Sequence, residues 1–531
     1  MDSRFTWKSL SDDAAWESLF SPTHGAEARV VRNILHYLRK RAEALGVLIE
    51  NHYVDRDHRA AFSHFYSRQF RGTSSLCQRL HFFASGTPWD ALQGAQTPSP
   101  DSYLGYVVQR PTPSAPIGRS VLAIEPRMIP GAMVYCRGNF QPHINDTEFH
   151  VNGVPFTQQD SMVMSCAETS IWTAARVMSK QFHHRLILPN EITRPETIGH
   201  SEYGRLLPSN GLTANQMAQA LSALGFEPIH YDKQAFKKEV DPIETCIPYI
   251  VSKIPTILAF PSHAVTACGV VMRQLQQPNG DHLHSVHEWV DGLIIQDDTR
   301  GPYRVIPKDD DLHVTLHQTD LNDLLIAKPK DPRDVTYPSS WWSASKAESI
   351  IVPLPERVYL TAVDAQVFAK TTLSPKGFLP HLHQMLALLA QAGHRDARVF
   401  LEALFEGKHG GLVYSVRCRK AVDVRHDFVP ASPRVREVLR EVPLPRQVWA
   451  IECTTRDAFE SKLKEDRILY GEFYLDATAH KYVGLSALVL ARVVGAMLVR
   501  SGLCLGDDTP KIIEIREDAA SYRSGIPLWS D

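Results

Sequence analysis

Hydrophobic and polar positions along this chain alternate between two periods, and the changes of period mark its elements. Across residues 26–45, Val30, Val31, Ile34, Leu35 and Leu38 recur at helical spacing, with Arg29, Arg32, Arg39, Lys40 and Arg41 on the other face. This predicts an amphipathic helix with a solvated basic side. Residues 46–50 read as a short strand. Phe62, Phe65, Tyr66 and Phe70 form a helical aromatic stripe expected to face a core. Strands are predicted at 103–108, 120–124 and 131–136, and 149–156 as a strand turning into the next segment.

That segment organises the rest. A polar turn from Thr157 leads through uncharged residues to Cys166, which opens a helix with Ile171, Ala174, Ala175 and Met178 on one face. Glu168 falls in its first turn, where a carboxylate suits the helix dipole. A thiol at the positive end of a helix is placed where a thiolate is stabilised. Downstream, Thr213 is a good N-cap for a second helix, which carries Met217, Leu221 and Leu224 and stops at Gly225. A strand follows at 227–231 and a buried one at 254–260. His263 then opens a strand of small and β-branched residues, and the strand at 292–296 runs into Asp297, Asp298 and turn chemistry.

Composition narrows the class of protein. The chain has 531 residues, too many for one ordinary domain. Its 57 basic and 59 acidic side chains nearly cancel, so no bulk charge favours nucleic acid or an anionic membrane as a partner. Eight scattered cysteines without a Cys-x-x-Cys pair exclude a zinc ribbon and a disulfide scaffold. The polar start, with no apolar secretory core, reads as cytoplasmic. The apolar stretch 483–499 carries Arg492 in its middle and reads as a buried helix rather than a membrane span.

A cysteine on a helix start, a histidine on a strand start and an acid on the next strand's end follow the logic of nucleophile, base and orienting carboxylate. On these residues the chain resembles the papain-like cysteine peptidase superfamily. Within it the chain is most similar to bacterial peptidases that process double-glycine leader peptides. The likeness rests on Cys166 in Ser-Cys-Ala-Glu-Thr, His263 in Ser-His-Ala-Val and Asp297 in Ile-Gln-Asp-Asp, and spans roughly residues 149–305. It implies an α+β fold, with a cysteine helix packed on an antiparallel sheet carrying His263 and Asp297, and needs no cofactor or metal. Asp298 competes with Asp297, and alternation along a strand lets only one of them reach His263. At the position of the family's oxyanion glutamine stands Asp160, so Gln159 is the substitute.

Other clusters read as inert. Asp281, His282, His284, His287 and Glu288 look like metal ligands but fall in an expected solvated loop without a distant fourth ligand. No phosphate-cradling glycine loop or dinucleotide fingerprint is present. A Pro-, Ser- and Trp-rich stretch suggests a boundary near Tyr337. The organisation expected is an N-terminal α+β region (1–148), a papain-like catalytic domain (149–335) and a C-terminal α+β domain (336–531). Acids in the last, such as Glu472 and Asp476, have no identifiable base or metal. The function expected is a cysteine peptidase acting on a protein or peptide through a thioester on Cys166. The alternatives are transamidation, deamidation or acyl transfer on the same triad, or a non-catalytic interaction protein.

Overall fold

The computed structural model describes residues 4–20, 27–70, 72–86, 99–112, 114–124, 131–194, 207–233, 241–272, 282–308, 343–427, 433–463, 466–479, 484–494, 496–499 and 511–514. The expected boundary near Tyr337 lies outside them. The fold mixes helices with mainly antiparallel sheets. It forms two compact units interleaved in sequence: Met1–Ile243 with Lys253–Val271 and Asp291–Pro355, and Glu244–Ser252 with Met272–Val290 and Glu356–Asp531.

Among the described residues, the first unit contains two large sheets and two two-stranded ones. One is a six-stranded meander: Phe5–Ser9, Gly46–Tyr53, Cys77–Phe83, Tyr103–Gln109, Ile117–Leu122 and Pro155–Phe156, each antiparallel to its neighbour. Alternate side chains, among them Leu48, Phe83, Tyr103 and Tyr106, close one core with Phe149. Tyr106 faces Val121 across the meander. Glu50 is buried between strands and takes a hydrogen bond from Arg79 Nε at 2.9 Å. The short final strand delivers the chain directly to the cysteine segment.

The second sheet runs Glu227–Asp232, Ser349–Leu354, Thr256–Phe260, His263–Met272, Val290–Asp297 and Gly301–Pro307, with Ala132–Val134 added alongside the His263 strand. His263–Met272, Val290–Asp297 and the edge strand Gly301–Pro307 are buried along almost their whole length, which suits their Val- and Ile-rich runs. Ser349–Leu354 comes from beyond the boundary expected near Tyr337, yet it pairs with both Glu227–Asp232 and Thr256–Phe260. Long-range pairing of this kind has no local signal.

The basic amphipathic helix is present as Glu27–His36, followed by a π-turn, Tyr37–Arg41. Val30, Val31, Ile34 and Leu38 are buried, and Arg32, Arg39 and Lys40 are exposed. The aromatic stripe departs from expectation. Its helix, Arg56–His64, ends at Phe65, whose φ of −130° breaks the helical register. Tyr66 is still buried, but Phe70 is fully exposed.

The second unit is built on a seven-stranded sheet. Leu283–Ser285 joins it in parallel to Leu412–Lys420; Gln447–Thr455, Gly471–Asp476, Leu488–Val493, Ala496–Val499 and Lys511–Glu514 continue it antiparallel. Two readings are corrected here. The stretch expected as a buried helix includes a strand pair, Leu488–Val493 with Ala496–Val499, because its β-branched residues are served by a ladder as well as by a helix. Arg492 sits opposite Glu472 on the neighbouring strand, its Nε 3.2 Å from Oε2. The histidine-rich run is not a solvated loop: His284 is buried in a strand, and its Nδ1 lies 3.0 Å from Glu288 Oε2. Asp281 lies outside the described residues. No helix among the described residues is long and apolar enough to cross a membrane.

Candidate active site

The helix Cys166–Phe182 begins where the sequence predicts, and its start is fixed by Ser165 and Glu168. Ser165 is the extended N-cap. The Glu168 carboxylate turns back to accept its backbone N–H at 3.1 Å, occupying one of the donors that a helix start leaves unpaired. Glu168 also accepts from the hydroxyls of Ser165 and Ser209. Ala167 to Met178 are buried, whereas Cys166 itself is half-exposed. The fixed helix start therefore presents one accessible thiol.

Asp160 serves the loop before the helix, not an oxyanion. Its Oδ1 accepts the backbone N–H groups of Met162, Val163 and Met164 at 3.0, 2.9 and 2.9 Å. Its Oδ2 accepts the Tyr66 hydroxyl at 2.8 Å. The loop thereby closes on a buried carboxylate. Of the two neighbouring glutamines, Gln158 is committed to structure: its Oε1 accepts the Ile117 N–H at 3.3 Å. Gln159 lines the same cavity as Cys166.

His263 follows a two-residue turn from Phe260, with which it pairs in the ladder. Thr266, three residues on, donates its hydroxyl to the Ser170 carbonyl at 3.2 Å and so ties the histidine strand to the cysteine helix. The imidazole lies between two kinds of partner. Nε2 is 3.1 Å from Asp297 Oδ1, and the Cys166 side chain is among the groups that favour the charged ring.

Asp297 is fully buried and well supplied with donors. Thr299 donates its backbone N–H at 3.0 Å and its hydroxyl at 2.8 Å, and Arg300 Nε lies 3.7 Å from Oδ2. Asn33 Nδ2, from the N-terminal amphipathic helix, donates to the Arg300 carbonyl at 2.6 Å and holds this turn. Asp298 Oδ1 also reaches His263 Nε2, at 3.6 Å. The expectation that only one acid reaches the ring is thus corrected. The strand has a register shift between Ile295 and Asp297 and turns at once, so alternation no longer separates the pair.

The charges respond accordingly. Burial opposes ionisation of His263, but the Asp297 carboxylate, its hydrogen bond, Cys166 and Asp298 outweigh it and raise the imidazole well above its usual value. Burial also opposes ionisation of Asp297, yet His263, Arg300 and Thr299 lower it below the carboxylate range. For Asp298, burial, Asp297 and Glu168 outweigh the nearby His263 and its own backbone N–H and push it up to about 7. The donor atoms of His263, Asp297 and Asp298 fall within 4.8 Å of one another, as metal ligands do. Asp297, however, already serves Thr299 and faces the Arg300 guanidinium, a fixed cation that disfavours a second one. The set reads as an ion-paired triad with an extra acid.

Cys166 and His263 open onto a cavity of about 730 Å³, within the range of small-ligand sites. Its polar wall includes Gln159, Ser165, Glu168, Ser209 and Gln216, and Met217 and Phe260 contribute apolar surface. The structure brings Cys166, His263 and Asp297 together; Ser209, Thr299 and Arg300 beside them were not singled out from the sequence. The Asp-x-Thr spacing of Asp297 and Thr299 is a local side-chain-to-backbone motif that could have flagged one of them. No protein-family model, curated protein or solved structure matches this chain.

Proposed function

We propose that this protein is a thiol hydrolase, a cysteine peptidase with a papain-like core, whose nucleophile is Cys166, base His263 and orienting acid Asp297. One observation carries the reading: an accessible cysteine at a helix start shares a cavity with a histidine whose far nitrogen is bound to a buried, ionised carboxylate. The thiol proton passes to His263 Nδ1, giving a thiolate–imidazolium pair. The sulfur attacks a substrate carbonyl, and the tetrahedral oxyanion is received by the backbone N–H of Cys166 and the amide of Gln159. The imidazolium then protonates the leaving amine, and a thioester remains on Cys166. Water, deprotonated by His263, attacks the thioester and releases the acid. Asp297 holds the ring tautomer and stabilises the imidazolium throughout.

The seven described cysteines are free thiols, as suits a reduced compartment and a cytoplasmic enzyme. The substrate is a protein or peptide segment lying in the cavity across Cys166. Digestion of a complex peptide library, read by mass spectrometry, tests this. Cleavage by wild type and none by Cys166→Ala is expected. Cleavage that survives in Cys166→Ala overturns the assignment. Products carrying an added amine when hydroxylamine is present would report the thioester, and products formed only with an amine acceptor would move the reading to transamidation.

A further inference from the structure

Two consecutive aspartates reach one imidazole, and they are not equivalent. Asp297, 3.1 Å from His263 Nε2, receives two hydrogen bonds from Thr299 and faces Arg300. Asp298, 3.6 Å from the same nitrogen, is 3% exposed, and neither of its oxygens accepts a hydrogen bond of ordinary geometry among the described residues. A buried carboxylate without donors costs stability unless a charge faces it. The charge it faces is the imidazolium.

Building on the proposed thiol chemistry, we propose that Asp298 is a second positioning acid of the base, one that holds the proton on His263 in neutral and alkaline solution while Asp297 alone suffices in acid. Among the described residues, Cys166 from the cysteine helix and Asp297 and Asp298 from the strand end act on the ring; Glu168 acts on Asp298, Arg300 faces Asp297, and Glu348 lines the same cavity. In acid, Asp298 keeps its proton, because burial and the neighbouring Asp297 and Glu168 disfavour a further negative charge. As the pH rises it ionises, and the new charge lies against the imidazolium just where that ring would otherwise be giving up its proton. A negative charge at this distance favours the protonated ring, so the ion pair persists to higher pH. The role is one of charge and needs no contact with substrate.

Two alkylating reagents separate this inference from the proposal beneath it. Iodoacetamide is neutral and reports the thiolate. Iodoacetate is an anion, and the imidazolium assists its approach, so its rate relative to iodoacetamide declines as the ring deprotonates. Both rates at Cys166 are measured against pH by mass spectrometry in wild type, Asp298→Asn and His263→Ala. For Asp298→Asn, the decline in the iodoacetate ratio moves to lower pH by about 1–3 units, the span of a nearby opposite charge, with little movement of the acid limb. A ratio profile that superimposes on wild type overturns the inference. If His263→Ala also leaves both rates unchanged, the thiol-hydrolase reading has failed as well; if His263→Ala abolishes the fast reaction, only the role of Asp298 has failed. Wild type alone gives a second readout should Asp298→Asn not fold. The ¹⁵N signal of His263 Nε2 should show a step near neutral pH, ahead of the ring's own deprotonation; a single step overturns the proposal.

Discussion

Asp160→Ala tests how the loop before the nucleophile is built. The substitution removes an acceptor from four donors at once: three backbone N–H groups on Oδ1 and the Tyr66 hydroxyl on Oδ2. Arg110 Nη1, 3.9 Å away, loses its nearest counter-charge on this side. Val163 and Met164 are buried, so water cannot readily replace the carboxylate there. A buried donor left unpaired costs about 1–3 kcal/mol; three donors sharing one oxygen do not add fully, which gives a total of about 3–5 kcal/mol. In a large unit that corresponds to a fall in Tm on the order of 10 °C. Asp160→Asn keeps one acceptor oxygen, and its amide can donate to Tyr66, so about 1–2 kcal/mol is expected for it. Differential scanning calorimetry gives both values. Iodoacetamide labelling at a temperature where the variants are folded shows whether Cys166 slows as its loop relaxes. A Tm for Asp160→Ala within about 2 °C of wild type would refute the reasoning.

Three further outcomes are expected. Cys166→Ala abolishes turnover and, because the side chain is half-exposed, changes stability by no more than about 0.5 kcal/mol in denaturant titration. Stability of the N-terminal sheet falls in acid through two groups. Burial opposes Glu50 ionisation, but His81 and Arg79 bring it from 4.5 to about 2, so its contribution is complete above 4.5 and is lost as the pH falls towards 2. Burial brings His81 from 6.5 to about 4, so the unfolded chain takes up that proton first and stability also drops from pH 6.5 to 4. Glu50→Gln should flatten the lower part of the acid unfolding curve, and an unchanged curve would contradict this. Arg492→Met strands Glu472 beside Glu452, the residue facing it in the ladder, and should cost about 3–5 kcal/mol; adding Glu472→Leu should recover at least half.

Much of the site could be read along the chain because its chemistry coincides with element boundaries. Ser165 and Glu168 bracket a helix start by a capping pattern that is entirely local, and Cys166 lies inside it. His263 stands at a strand's first residue and Asp297 at another's last, where polar residues interrupt apolar runs. The placement of Asp298 was not legible, because a register shift of one residue changes which side an acid faces and leaves no mark in composition. Asp160 stands where the resemblance puts an oxyanion glutamine, and only the folded loop shows three N–H groups converging on it. The pairing of Ser349–Leu354 depends on contacts far apart in sequence, and the strand pair at 488–499 shares its apolar run with any buried helix.

The central claim is that Cys166 is activated by His263, and one labelling experiment addresses it most directly. Iodoacetamide is added at pH ~6, where a free thiol of pKa about 8.5 is almost wholly protonated, and the rate at Cys166 is compared with that of a model thiol peptide, in wild type and in His263→Ala. The geometry predicts that wild-type Cys166 reacts at least about tenfold faster than the peptide and that His263→Ala loses this advantage. Reaction at the peptide's rate in wild type, or an advantage that survives in His263→Ala, would contradict the account.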